Sequence, residues 1–225
     1  GEIKKEIELE KAKNRDWESI TQDSTSIYIG DFGNNMGGRE DLCIYKIKKK
    51  SITKKKEQKI EAKRINFTYA LQERFIHFNH NTSFDCEAML EFNGSLYIFS
   101  KDWKKFTTTV YKIPKKKGDY ELHPLDTFNV NGLITGADIS PNKKYLALIG
   151  YKDYKNFIWL FSDFSDDNFF KGNSQYYKLN KISMAQTEGI CFYDNNLLLV
   201  SCERTKSHNQ QVFSFDISEI TNGAH

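Results

Sequence analysis

The chain has 225 residues, of which 39% are hydrophobic, with 12 Tyr and 17 Phe against 3 Pro and 13 Gly. This composition excludes disorder and low-complexity linkers and suffices for one large all-β domain spanning 1–225. The net charge is only +3, no nucleic-acid motif accompanies it, no apolar run reaches the roughly 20 residues of a membrane-spanning helix, and residues 1 to 12 carry no signal-peptide core.

In chain order, residues 1–12 contain one strand-like stretch, EIKKEIEL, with no partner strands beside it. Four similar units follow. The first, 16–71, reads DWESITQDSTSIYIGDFGNN, then LCIYKI, then RINFTYAL; the second, 85–130, reads DCEAMLEFNGSLYIFSKDW, then TTVYKI, then ELHPLDTFNV. The third, 135–183, contains TGADISPNKKYLALIGYKD, FIWLFSDF and QYYKLNKIS; the fourth, 187–218, contains TEGICFYDNNLLLVSCER and QVFSFDI, with no fourth stretch. Setting Glu18, Glu87, Gly136 and Glu188 as equivalent places Tyr28, Tyr97, Leu146 and Leu198 at one register inside alternating apolar runs. Turn residues separate the paired runs, with Asn93-Gly94 the plainest hairpin signal. Four strands recurring about every 50 residues predict a β-propeller of four-stranded antiparallel blades. Four blades are recognisable, and five if another stands N-terminal to them. The lone first strand is positioned to complete the three-stranded last blade and so close the ring.

The strings NRDWESITQD, YIGDFGNN, FDCEAM, LDTFNVNGLITGADIS and QTEGICF, in this order, resemble those of a family of exported bacterial β-propellers that often carry a C-terminal sorting domain of the type IX secretion pathway. The resemblance implies the fold, a further N-terminal blade in intact members, and an extracellular, cell-surface or periplasmic location. It implies no activity.

In a blade, the loops entering the inner strand and linking the second and third strands emerge on one face, where function concentrates. That face gathers Asp16, Glu18, Asp31, Asn34 and Asn35 from the first unit and Glu87, Lys101 and Trp103 from the second. Thr135, Asp138 and Tyr151 come from the third; Glu188, Glu203 and Arg204 come from the fourth. The repeat-equivalent glutamates support two readings: acceptors of backbone N–H groups near the axis, or ligands of a divalent cation. For the second, Glu18, Asp31, Glu87 and Glu188 form an oxygen-only set suited to Ca2+ or Mg2+. Aromatic side chains beside carboxylates also suit a carbohydrate, peptide or protein ligand. In this reading Trp103 is exposed and Trp17 packs between blades.

Binding is favoured over catalysis, because none of the histidines at 77, 80, 123, 208 and 225 falls at a repeat-equivalent position and no GxSxG motif occurs. The alternative is a metal-dependent hydrolase of esters, lactones or phosphoesters. The DFG in GDFGNN lacks the companion loops of a kinase, and the stretch lacks the spacing of an EF-hand or a phosphate loop. Gly30, Gly33, Gly37 and Gly38 are expected to serve its turns. The lysine runs at 48–59 and 115–117 map to the opposite face, as solvated loops or as an anion-binding patch. Cys43, Cys86, Cys191 and Cys202 show no zinc spacing and are expected as buried thiols, open to disulfide formation on export. A monomer is expected.

Overall fold

A computed structural model of the protein describes residues 2–182, 184–205 and 209–218. Gly1, the expected end of the third unit at 183, and the histidines at 208 and 225 lie outside the described residues.

The chain begins with β1 (Glu6–Glu10) and then builds the first blade from β2 (Trp17–Gln22), β3 (Ser26–Asp31) and β4 (Cys43–Lys48). After β5 (Glu57–Glu61), β6 (Lys63–Tyr69) completes that blade. The second blade is β7 (Asp85–Phe92), β8 (Ser95–Lys101), β9 (Thr108–Pro114) and, beyond β10 (Gly118–Leu122), β11 (Pro124–Phe128). The third is β12 (Leu133–Ile139), β13 (Tyr145–Lys152), β14 (Lys155–Ser162) and β15 (Asn173–Lys178). The fourth is β16 (Thr187–Phe192), β17 (Leu197–Cys202) and β18 (Gln211–Asp216). The four antiparallel blades form a β-propeller.

Alternation along each strand feeds two different cores. In β8, Leu96 and Ile98 join Tyr28, Ile44, Ile65 and Phe67 of the first blade. Tyr97 and Phe99 face the other way, onto Leu146, Phe157, Phe161 and Phe169 of the third blade. A third core joins Ala147, Ile149 and Ile158 to Ile190, Leu198 and Val200.

Among the described residues, no buried core joins the fourth blade to the first. A cavity of about 350 Å³ runs there between Glu18, Ser19 and Ile20 on one side and Leu199, Ser201 and Val212 on the other. Ile20 and Val212 are 69% and 64% exposed.

Two expectations change. β1 does not complete the fourth blade: it pairs in parallel with β5, because its buried Leu9 packs with Ile60 over Tyr45 and Ile47 on the flank of the first blade. The stretch expected as one strand at 121–130 divides at His123. β10 lies parallel to β6 of the first blade, and β11 pairs with β9.

The turn at Asn93 and Gly94 has positive φ at both residues, 46° and 87°, as a tight primed hairpin turn requires. Open space surrounds Gly94, so Gly94→Ala should cost only the strain of the left-handed backbone, about 1 kcal/mol, read as a shift in the urea midpoint at unchanged slope.

Candidate functional site

Each inner strand carries a β-bulge at the same height. Pairing slips between Trp17 and Ser19, between Cys86 and Ala88, between Ile134 and Gly136, and between Thr187 and Gly189. The extra residues are Glu18, Glu87, Thr135 and Glu188. A bulge re-aims one side chain out of the pleat, and four of them in a ring bring these residues together at the mouth of the channel. The third repeat is thus aligned on Thr135, one residue before Gly136. Its hairpin turn is longer than those of the first two blades, and the extra length hid the offset. Thr135 is buried and donates to the Thr187 carbonyl at 2.8 Å, so it ties the third blade to the fourth.

At the centre, Lys101 Nζ donates to Glu87 Oε1 at 2.5 Å, with both side chains nearly buried. The same ammonium lies 4.8 Å from the Trp103 ring centroid and 5.4 Å from that of Tyr151. Burial alone would lower the Lys101 pKa, but the charge and hydrogen bond of Glu87, with Tyr151 and Asp85, together outweigh it and the net direction is upward. Glu87 is pushed up to about 8 by burial and by Asp85 and Glu188, with Lys101 pulling against them. Its second oxygen, Oε2, is buried with no hydrogen-bond partner.

Glu18 is pushed up to about 9, by burial first and then by the charges of Glu87, Asp16 and Asp85. Asp16 raises it further as a side-chain hydrogen-bond partner as well as by its charge. Gly33 makes this approach possible, since a Cβ there would lie 2.4 Å from Asp16 Oδ2 and 2.6 Å from Glu18 Oε1. Of the four glycines in GDFGNNMGG only Gly37 has positive φ; Gly33 serves close packing instead. Burial also raises the Glu188 carboxyl.

Several predicted site residues hold the mouth together. Asp31 is buried, bonded to Arg39 Nη2 at 3.0 Å, and accepts the Asp16 N–H at 3.1 Å. Asn34 is buried; its N–H donates to Asp85, its Nδ2 donates to the Phe84 carbonyl, and its Oδ1 accepts from Arg39 N. Trp103, expected to be exposed, is half-buried because its Nε1–H donates to Asp85 Oδ2 at 2.7 Å and its ring stacks on His80 at 3.8 Å. Trp17, expected between blades, is 37% exposed and leans on Tyr45 of its own blade. Asp138 lies away from the mouth, accepting Phe192 N–H across the joint between the third and fourth blades. Asn35, Glu203 and Arg204 are exposed on the rim, where Gln186 donates to Glu203 at 3.4 Å.

The carboxylates expected to share Ca2+ or Mg2+ do not fit a cation. Asp31 is engaged by Arg39 and Glu87 by Lys101, so the chain supplies its own positive charge. Among the described residues no group of three His, Cys, Asp or Glu side chains could hold a metal. The cysteines are free, and Cys191 is exposed, unlike the other three.

Sequence reasoning missed Arg39 and His80. Arg39 occupies a single loop with no counterpart in the other repeats. His80 belongs to the long connection 70–84, where only the density of aromatic and histidine residues hinted at a role.

No family model matches the chain, and no curated protein does. Solved structures do. An exo-beta-1,3-galactanase from Phanerochaete chrysosporium, with beta-1,3-galactotriose, is similar at TM-score 0.57 and 13% identity, over 87% of this chain and 45% of that one. The same enzyme with galactose gives 0.53 over the same shares. A putative 6-phosphogluconolactonase from Bacteroides uniformis gives 0.44 at 13% identity, over 88% and 56%. The chain therefore spans about half the length of these structures, and at this identity the likeness to the galactanase establishes the propeller fold.

Proposed function

We propose that the protein is an exported or cell-surface binding propeller that takes a carbohydrate at its mouth. The observation that carries this reading is the buried, unpartnered Oε2 of Glu87, set among Glu18, Glu188 and Lys101 with the Tyr151 and Trp103 rings alongside. A buried polar atom left without a partner is costly, and a ligand hydroxyl would satisfy it. Aromatic faces beside such groups suit the apolar faces of a sugar ring. The galactanase with galactotriose offers support by analogy of fold alone.

Calorimetric titration with β-linked galacto- and gluco-oligosaccharides tests it. At about pH 9, where the Glu87 carboxyl is ionised, binding should weaken about tenfold or more in Glu87→Gln, roughly the worth of one hydrogen bond to a charged group. No heat from any glycan up to about 10 mM, a Kd corresponding to less than roughly 3 kcal/mol, would overturn the reading. So would equal affinity of Glu87→Gln and the parent.

A second reading, hydrolysis at the same mouth, is favoured by one observation. Glu18 holds its proton at neutral pH and lines the same cavity as Glu188, and glycoside hydrolysis uses a pair of carboxyls of which one is protonated as the general acid. Sugar release that is lost in Glu18→Gln, with binding retained, would establish it over pure binding; intact oligosaccharide after prolonged incubation would reject it. Export rests on the family resemblance. Fractionation of the native cells should find the protein outside the cytoplasm, and recovery with cytoplasmic markers would refute it.

A further inference from the structure

On the face opposite the mouth, a cavity of about 510 Å³ is lined by Ser24, Thr25, Ser26, Lys46, Lys48, Lys49 and Lys50. Strand pairing explains the gathering. Ser26 lies opposite Lys48 and Tyr28 opposite Lys46 across the β3–β4 ladder, so the lysines at 46 and 48, two residues apart, share the face that carries Ser26. The β2–β3 hairpin tip folds over them, held by Lys49 N–H donating to the Thr25 carbonyl at 2.9 Å.

The carboxylates nearby are already committed. Asp23 accepts from the N–H groups of Thr25 and Ser26, from Thr25 Oγ1 and from the Tyr28 hydroxyl. Lys115 bridges Asp23 and Glu91, both at 2.8 Å. Lys46 finds only the Lys115 carbonyl, at 2.8 Å, and the Tyr28 ring, at 5.4 Å. Among the described residues none of the four cavity lysines forms an ion pair. The Lys46 ammonium is correspondingly lowered, by burial first, with Lys115, Lys63 and Lys48 adding to it against Asp23.

We infer that this lysine cavity is a binding site for a compact, multiply charged phosphate, such as a phosphate ester or short polyphosphate. Four ammonium groups with no ion-pair partner among the described residues form a site of concentrated positive potential. They act as point charges and impose no planar geometry, as lysines do in phosphate-binding loops. The Ser24 hydroxyl adds a neutral donor, whereas Thr25 Oγ1 is committed to Asp23 and Ser26 is buried beside it. The volume falls within the usual range for small ligands, about 300–1,000 Å³.

The test is calorimetry of the full chain with inorganic tripolyphosphate at about 50 and 200 mM salt, which spans strong to weak screening. One saturable site per chain is expected. The paired change Lys46→Ala with Lys48→Ala should weaken it about tenfold or more. Changing Lys54, Lys55 and Lys56 together to Ala removes more charge outside the cavity and should cost no more than about threefold. Because Lys46 touches Tyr28, Lys48→Glu with Lys50→Glu at exposed positions gives an independent arm, with the same tenfold loss expected. Equal losses from cavity and outside lysines would show a diffuse basic surface and overturn the inference. So would several weak sites per chain, absence of binding at low salt, or tighter binding per phosphate to duplex DNA than to tripolyphosphate. Glu87→Gln should leave tripolyphosphate binding unchanged, which keeps this site separate from the mouth.

Discussion

Glu18→Gln should make the protein more stable at alkaline pH while leaving it nearly unchanged at about pH 5.5. The carboxyl titrates near 9 in the folded chain against an ordinary 4.5. Between those values the folded state holds a proton that the unfolded chain has released, so this group's contribution falls as pH rises through that window. Glutamine mimics the protonated form and cannot titrate. Glu18 is only half-buried, so solvent screening reduces the linkage well below its buried limit, and about 2 kcal/mol at roughly pH 8.5 is the expected gain. That corresponds to an increase in Tm of about 4–8 °C for a domain of this size. Paired thermal melts at the two pH values read it. A variant that tracks the parent at both would show that Glu18 titrates as an ordinary carboxylate.

Asp85→Ala should be the most destabilising change at the mouth, by about 3 kcal/mol or more. One carboxylate accepts Asn34 N–H at 2.7 Å, Cys86 N–H at 2.9 Å and Trp103 Nε1–H at 2.7 Å. Asp85 is 1% exposed and Asn34 is 2% exposed, so alanine leaves buried donors without partners, each worth about 1–3 kcal/mol. The loss should appear as a lower denaturant midpoint, with the Trp103 fluorescence changed in the native baseline because its ring loses its anchor. Asp85→Asn keeps one acceptor oxygen and should recover part of the loss. If alanine cost less than about 1 kcal/mol, the strap between the first and second blades would not depend on this carboxylate.

Much of the architecture was legible because blades announce themselves locally. Alternating runs such as SLYIFSK and YLALIGYK, punctuated by Asn93-Gly94 and Asp194-Asn195-Asn196, carry strand and turn information within a few residues. The glutamate positions were legible for the same reason, since each bulge recurs at one place in its repeat. Relations between repeats were harder to read. Turn length shifted the third repeat by one residue and concealed Thr135. The pairing of β1 with β5, and of β10 with β6, depends on which apolar stripe covers which flank, and no local pattern encodes that choice. At the site, residue type could place Glu87 and Lys101 on one face. Their 2.5 Å contact could not be foreseen, and with it the preference for an internal cation over a bound metal. Trp103 was misjudged because its indole partner, Asp85, lies 18 residues earlier in sequence.

The bulges gather the glutamates into one mouth where burial and mutual repulsion hold protons on Glu18 and Glu87. Carbon-13 NMR of the protein labelled at glutamate side-chain carboxyls, followed across about pH 3 to 10 and assigned with Glu18→Gln and Glu87→Gln, measures this directly. The expected result is two carboxyls titrating far above the rest, near 9 and 8, with removal of Glu18 moving the Glu87 midpoint downward. Titration of every glutamate between about 4 and 5, each indifferent to the other's substitution, would contradict it.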